Sequence, residues 1–436
     1  MGSFFGKKKS ERMPNGDAEA REDTLSFGQK IGRFFSPDEQ KERVLRHEDF
    51  SAAGDLYYAT VSAAYKALQR FLWAFFVLFL VISIVVNYRS ITYDNFYFLI
   101  KDFSGAFDSD GGNYETLSYE ADARQNFVLY RGGVASVSPS RLSVFTSTGR
   151  RTLNTTVSYS APFMVSSGKY VLVYDAAGKT FSLYNSFAKV YTETLDYPIT
   201  DAVLGEDGSF AIVTRSADRR TVVIVYDRDF DRRAEIRADY HTFDIALDSD
   251  RELLSLLSYE AGDGTGRTVL SVWDLNDMRE EKKKSEQHWD GEFPLGCGFL
   301  GNSFGVLTDR HIRIFDRNFA QTSLSEDYFG ANVTAFCFDE YGAAIALSQA
   351  SKVRVLAYDA SGDLLYNDAV ALNVLDVRVY EKYLFCQTEE GVSRLNVKRS
   401  RWEHLPCGDG VMLIYNGQTA LVCGESKAEY LIFDRD

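Results

Sequence analysis

Eight short motifs recur between residues 143 and 436, each an apolar anchor followed by a polar turn, and their spacing restricts the fold more than any other feature of the chain. They are SVFTSTG (143–149), SLYNSF (182–187), IVYDRDF (224–230), SVWDLND (271–277), RIFDRNF (313–319), LAYDASG (356–362), SRLNVKR (393–399) and LIFDRD (431–436). The anchors Phe145, Tyr184, Tyr226, Trp273, Phe315, Tyr358, Leu395 and Phe433 are separated by 39, 42, 47, 42, 43, 37 and 38 residues, a mean of about 41. Earlier in the units lie second strand-and-turn patterns, AVLGEDGSFAIV (202–213), IALDSDRELLSL (245–256), FCFDEYGAAIAL (336–347) and, less sharply, GFLGNSFGVL (298–307). Amphipathic helical stripes are scarce, and short runs of Val, Ile, Tyr, Phe and Thr end in Gly, Asp or Asn. A 40–45-residue unit of four strands is a blade of a β-propeller, whose sheets bury their faces only by packing around a common axis. The region is therefore expected to be all-β, with eight four-stranded blades, or seven if the degenerate SRLNVKR unit is not one.

Ring closure gives an independent check. The last unit supplies three strands, VMLIY, TALVCG and AEYLIF (411–433), and YETLSYE (114–120) has the alternation to act as the fourth. Pairing them would remove an open sheet edge.

Ahead of the repeats, Phe71 to Val86 form an uncharged apolar run, which extended to Tyr88 is about 27 Å of helix, near the roughly 30 Å hydrocarbon core of a bilayer. Trp73 and Tyr88 fall near the two interfaces, and Lys66 and Arg70 can snorkel toward headgroups. Membrane lipid is thus one expected partner. Residues 1–70 hold 12 Lys and Arg against 11 Asp and Glu, leaving 36 basic and 51 acidic residues for the remainder. Positive-inside counting places the short segment in the cytoplasm and the repeats outside the cell membrane. The expected organisation is a cytoplasmic tail (1–69), a transmembrane helix (70–88), a juxtamembrane helix and linker (89–113) and the propeller (114–436). The tail reads as disordered, then helical from Ser36 to about His47, with a further helix from about Asp55 running into the span. Lys7, Lys8 and Lys9 are read as a solvated charged stretch, and 93–103 as an amphipathic segment lying on the membrane or against the propeller.

A single span after a short tail, the stretch YDNFYFLIKDF (93–103) and Tyr-Asp or Phe-Asp repeats together resemble an uncharacterised family of membrane-anchored propeller proteins from Gram-positive anaerobes. The resemblance implies an extracytoplasmic propeller and a bacterial source, and brings no catalytic residues with it. More distantly the blades are similar to WD40 and quinoprotein-like propellers, without the Gly-His half of the WD40 signature.

Chemistry-bearing motifs are missing from the sequence. Cys297, Cys337, Cys386, Cys407 and Cys423 show no CxxC spacing, and two pairs of them follow the blade period, as small core residues would. His47, His241, His288, His311 and His404 are scattered, with no zinc pattern, and there is no nucleophile elbow, phosphate loop or dinucleotide fingerprint. Acidic loops at 205–208 and 248–250 read as turn chemistry rather than calcium sites. The acidic balance after residue 70 disfavours nucleic acid. No catalytic residue, metal or cofactor is assigned. The expected function is a binding or scaffold module for a protein or cell-wall ligand, with an axial-site lyase or hydrolase and a transmembrane sensor as alternatives. Trp289 and Trp402, outside the repeat motifs, are candidate glycan platforms.

Overall fold

The computed structural model describes residues 53–86, 93, 96–97 and 116–434, apart from the short stretches 123–124, 218–220, 262–264, 278–282, 350–351 and 371–372; the surroundings of side chains are described from residue 65 onward. The chain divides into two compact units, residues 1–97 and 98–436. In the first lies one long helix, α1 (Ala53–Val86). Its part Tyr65–Val86, 22 residues of mean hydropathy 2.2, is long and apolar enough to cross a membrane. Phe71, Trp73 and Val86 are exposed along it, 57 to 73% of each side chain being accessible, and Lys66 and Arg70 lie on its first turns. Tyr88, the tail up to residue 52 and most of 89–113 lie outside the described residues.

The second unit consists of eight four-stranded antiparallel sheets. Seven are continuous in sequence, at 126–156, 162–194, 199–238, 241–290, 294–324, 332–370 and 376–406, and are numbered blades 1 to 7. Blade 8 takes three strands from 411–432 and its outermost strand, Leu117–Ser118, from the other end of the unit. The first strand of each blade touches the first strands of both neighbours, including Val411–Asn416 of blade 8 against Asn126–Tyr130 of blade 1. The ring is therefore closed with eight blades, not seven. At the closure Leu117 pairs with Ala428 and Ser118 with Lys427, and Leu117 is buried among Phe127, Val134, Phe145 and Leu421.

Each blade interface has its own apolar cluster. Phe181 of blade 2 packs on Phe210 and Tyr226 of blade 3, for example, and Val223 of blade 3 on Leu254 and Trp273 of blade 4. Burial of each such side chain contributes about 1.5–3 kcal/mol. Cys297, Cys337, Cys386 and Cys423 are buried within these interfaces, while Cys407 is half-buried.

The repeat motif has a local cause. All eight anchors are buried, and in blades 1 to 6 the anchor sits where the hairpin between third and fourth strands shifts register by a bulge. The next residue starts the turn. Asp227 accepts N–H bonds from Asp229 and Asp231 at 2.8 and 3.0 Å, Asp316 from Asn318 and Ala320, and Asp359 from Ser361 and Asp363. Three residues on, Phe230, Phe319, Gly362 and Gly149 take φ of 70, 59, 84 and 77° to finish it. An aromatic followed by Asp thus recurs because the aromatic fills an interface and the carboxylate folds the turn. Blade 7 departs from the pattern because its hairpin, pairing Leu395 with Trp402 and Asn396 with Arg401, closes without the bulge.

Candidate interaction face

Because strands alternate in direction, the starts of first and third strands and the ends of second and fourth strands share one face of the ring. Most large apolar side chains exposed on the propeller collect there. Phe163, Phe243, Leu375 and Val411 stand at or before the starts of first strands, Leu324 ends a fourth strand, and Tyr197, Phe293 and Phe329 lie in the loops between blades. On the opposite side the exposed set is smaller: Val190, Leu364, Trp402 and Ile432.

The rim is ordered by ring contacts and by hydrogen bonds beneath it. Phe163 stacks on Tyr174 with centroids 5.9 Å apart, and Phe243, Tyr259 and Phe293 form a triad with centroid separations of 4.9 to 6.3 Å. Under Phe163, the Tyr174 hydroxyl donates to Asp201 Oδ1 at 3.3 Å. Next to Phe293, Glu292 is buried: Arg313 forks onto its two oxygens at 2.7 and 2.6 Å, and the Thr308 and Thr268 hydroxyls donate to its carboxylate and carbonyl. Burial alone would raise the Glu292 carboxyl, but the Arg313 and Thr308 bonds and the Arg313 charge hold it below the ordinary value. Arg313 also lies 4.7 Å from the ring centroid of Trp289, which places this Trp against the blade 5 core rather than on a platform.

Two carboxylates lie just inside the rim on neighbouring first strands. Asp201 accepts from Ala202 N and Asp244 from Ile245 N, and the second oxygen of Asp244 accepts the Cys297 N–H of blade 5 at 2.7 Å. Burial pushes their pKa values up to about 6 and about 7. Gly296 is required between them and blade 6, since a Cβ there would meet the Phe336 ring at 2.5 Å. Asp244 thereby ties the first strands of blades 4 and 5 together, whereas Asp201 is bonded within its own strand and by the Tyr174 hydroxyl of blade 2. Among the described residues no group of three His, Cys, Asp or Glu is placed to hold a metal. The acidic loops act as turns: Asp207 accepts from Ser209 N, and Asp248 from Arg251 N.

Other residues singled out by sequence are dispersed. Arg232 and Arg233, on the outermost strand of blade 3, stay part-exposed and pair with Glu193 of blade 2 and Glu252 of blade 4. Arg219 and Arg220 lie outside the described residues. Trp402 is half-exposed on the opposite side, edge-on to Tyr366. A polar cleft of about 650 Å³ opens on that side between blades 5 and 6, lined by Asn302, Asp316, Arg317 and Asp363. The rim aromatics break the blade period; their one signal in the sequence is position, an aromatic just before or near the start of a first strand in LDYPIT, HTFDI and GEFPLG.

This geometry defines the class: an eight-bladed β-propeller that presents one apolar face. Residues 112–401, about two thirds of the chain, match the model of a family of unknown function (DUF5711), and the chain belongs to that family. No curated protein matches the sequence. Among solved structures it is similar to Sqt1 of Saccharomyces cerevisiae (11% identity, TM-score 0.51, covering 70% of this chain and 93% of that one). Further similarities are to BamB of Moraxella catarrhalis (11%, TM-score 0.49, 73% and 100%) and apo AztD of Citrobacter koseri (11%, TM-score 0.48, 69% and 90%). At these identities the likeness to Sqt1 is one of fold.

Proposed function

We propose that this protein is a membrane-tethered, non-enzymatic scaffold: α1 crosses the bilayer once with its N-terminus in the cytoplasm, and the propeller outside docks a protein partner on its apolar face. The observation that carries the reading is the collection of exposed rings and branched side chains, from Phe163 round to Val411, on one face of a closed and rigid ring. The span rests on the 22-residue apolar stretch, and its direction on the basic residues ahead of it. The carboxylates inside the rim give an active site little support, because Asp244 accepts the Ile245 and Cys297 N–H groups and Asp201 accepts the Ala202 N–H and the Tyr174 hydroxyl.

The test is partner recovery from native membranes with the full-length chain and with a triple exchange, Phe163→Ser, Phe329→Ser and Leu375→Ser. All three side chains are exposed, so the melting temperature is expected to stay within a few degrees while recovery drops by about tenfold or more. A partner retained in full by the folded variant contradicts the reading.

A further inference from the structure

The apolar face is also the more negatively charged one. Among the described residues its loops, between blades and between second and third strands, carry 12 Asp and Glu against 3 Lys and Arg, whereas those of the opposite face carry 13 against 9. The best-built apolar point on the face is the triad Phe243, Tyr259 and Phe293 at the junction of blades 4 and 5. Phe293 is held from both sides. Its backbone N–H donates to Asp309 Oδ1 at 2.8 Å, the Asp309 N–H donates back to its carbonyl at 2.9 Å, and the preceding Glu292 is locked by Arg313. Phe243 is fixed through Asp244, its neighbour, which bonds across to blade 5. Asp309 and Asp290, three residues before Phe293, are both exposed.

The geometry points to a docking subsite for a basic segment of the protein partner, in which an aromatic or aliphatic side chain seats on the triad and flanking Lys or Arg pair with Asp290 and Asp309. This rests on the protein-docking reading above and adds the chemistry of the partner. Rigid rings need little ordering on binding, which is the property of an interface anchor. The charge argues against other occupants: a second copy would set two acidic faces together, and an anionic lipid surface would be repelled in the same way. Phe243 stands at 77° to Phe293 and 82° to Tyr259, so it joins neither in the flat platform that a sugar ring stacks on.

Two labelled peptides of alternating lysine with leucine or tryptophan, one with every lysine replaced by glutamate, serve as probes on the full-length protein in detergent. The basic peptide should bind at least about tenfold tighter than the acidic one. It should lose about tenfold with Phe243→Ser and Phe293→Ser together, and several-fold, with a flatter salt dependence, with Asp290→Asn and Asp309→Asn. Trp402→Ser, on the opposite face, should change nothing. Equal binding of the two peptides, or no loss in either pair of variants, overturns the subsite. A photo-crosslinker at position 293 in native membranes extends the test: a basic, apolar partner segment in the adduct supports the inference. An acidic segment, or adducts from positions 163 and 329 without one from 293, overturns it and leaves the docking reading standing; no adduct from any of the three overturns both.

Discussion

The Asp244 carboxylate of blade 4 accepts the Cys297 N–H of blade 5 at 2.7 Å, so a titratable group spans a blade interface. Burial raises Asp244 to about 7, and Asp201 and Asp339 to about 6, against 3.8 when unfolded. The folded protein therefore holds protons that the unfolded chain has released. This contribution is complete below about pH 4 and is lost as pH rises through 6 to 7. The melting temperature should rise on acidification from pH 8 to pH 5, and Asp244→Asn should flatten that slope. An unchanged slope in the variant would show that the interface carboxylate does not titrate as described.

Closure of the ring depends on a strand of only two residues. Leu117 is buried and pairs with Ala428, so Leu117→Ala should cost about 2–5 kcal/mol. Limited proteolysis should then cut first near blade 8. Cleavage spread evenly over the blades would argue that the closing strand is dispensable.

Within the turns, the two halves of the motif can be separated. Asp359→Ala removes two turn hydrogen bonds and should cost about 1–2 kcal/mol. Tyr226→Ala empties a ring site between Phe181 and Phe210 and should cost about 3–5 kcal/mol. Denaturant unfolding of the two variants tests the order.

The Glu292–Arg313 pair is the most deeply buried ion pair among the described residues, with the two side chains 8 and 6% accessible. Glu292→Gln leaves the guanidinium without its counter-charge and should destabilise by about 3–5 kcal/mol. Glu292→Gln combined with Arg313→Met should recover much of that loss. Failure of the second change to recover stability would place the effect in the 291–293 loop rather than in the charge.

The blade count, the four-strand unit and the closing segment were legible because each leaves a periodic or edge-complementing pattern: Phe145 to Phe433 mark interfaces, and the YETLSYE segment completes the last sheet. The apolar run likewise announces the helix. The interaction face was not legible. Phe163 and Phe243 come from two blades and Phe293 and Phe329 from two loops between blades, so only the ring brings them to one face, and a buried Phe210 looks the same in sequence as an exposed Phe329. Pairings such as Arg313 with Glu292 and Arg232 with Glu193 link residues 21 and 39 positions apart, which no local pattern discloses.

The docking reading is tested most directly by site-specific photo-crosslinking in native membranes from both sides of the ring, at Phe163 and Phe329 on the apolar face and at Leu364 and Trp402 on the other. Partner adducts are expected from the first pair and none from the second. Adducts from Leu364 and Trp402 alone, or equally from all four positions, would contradict it.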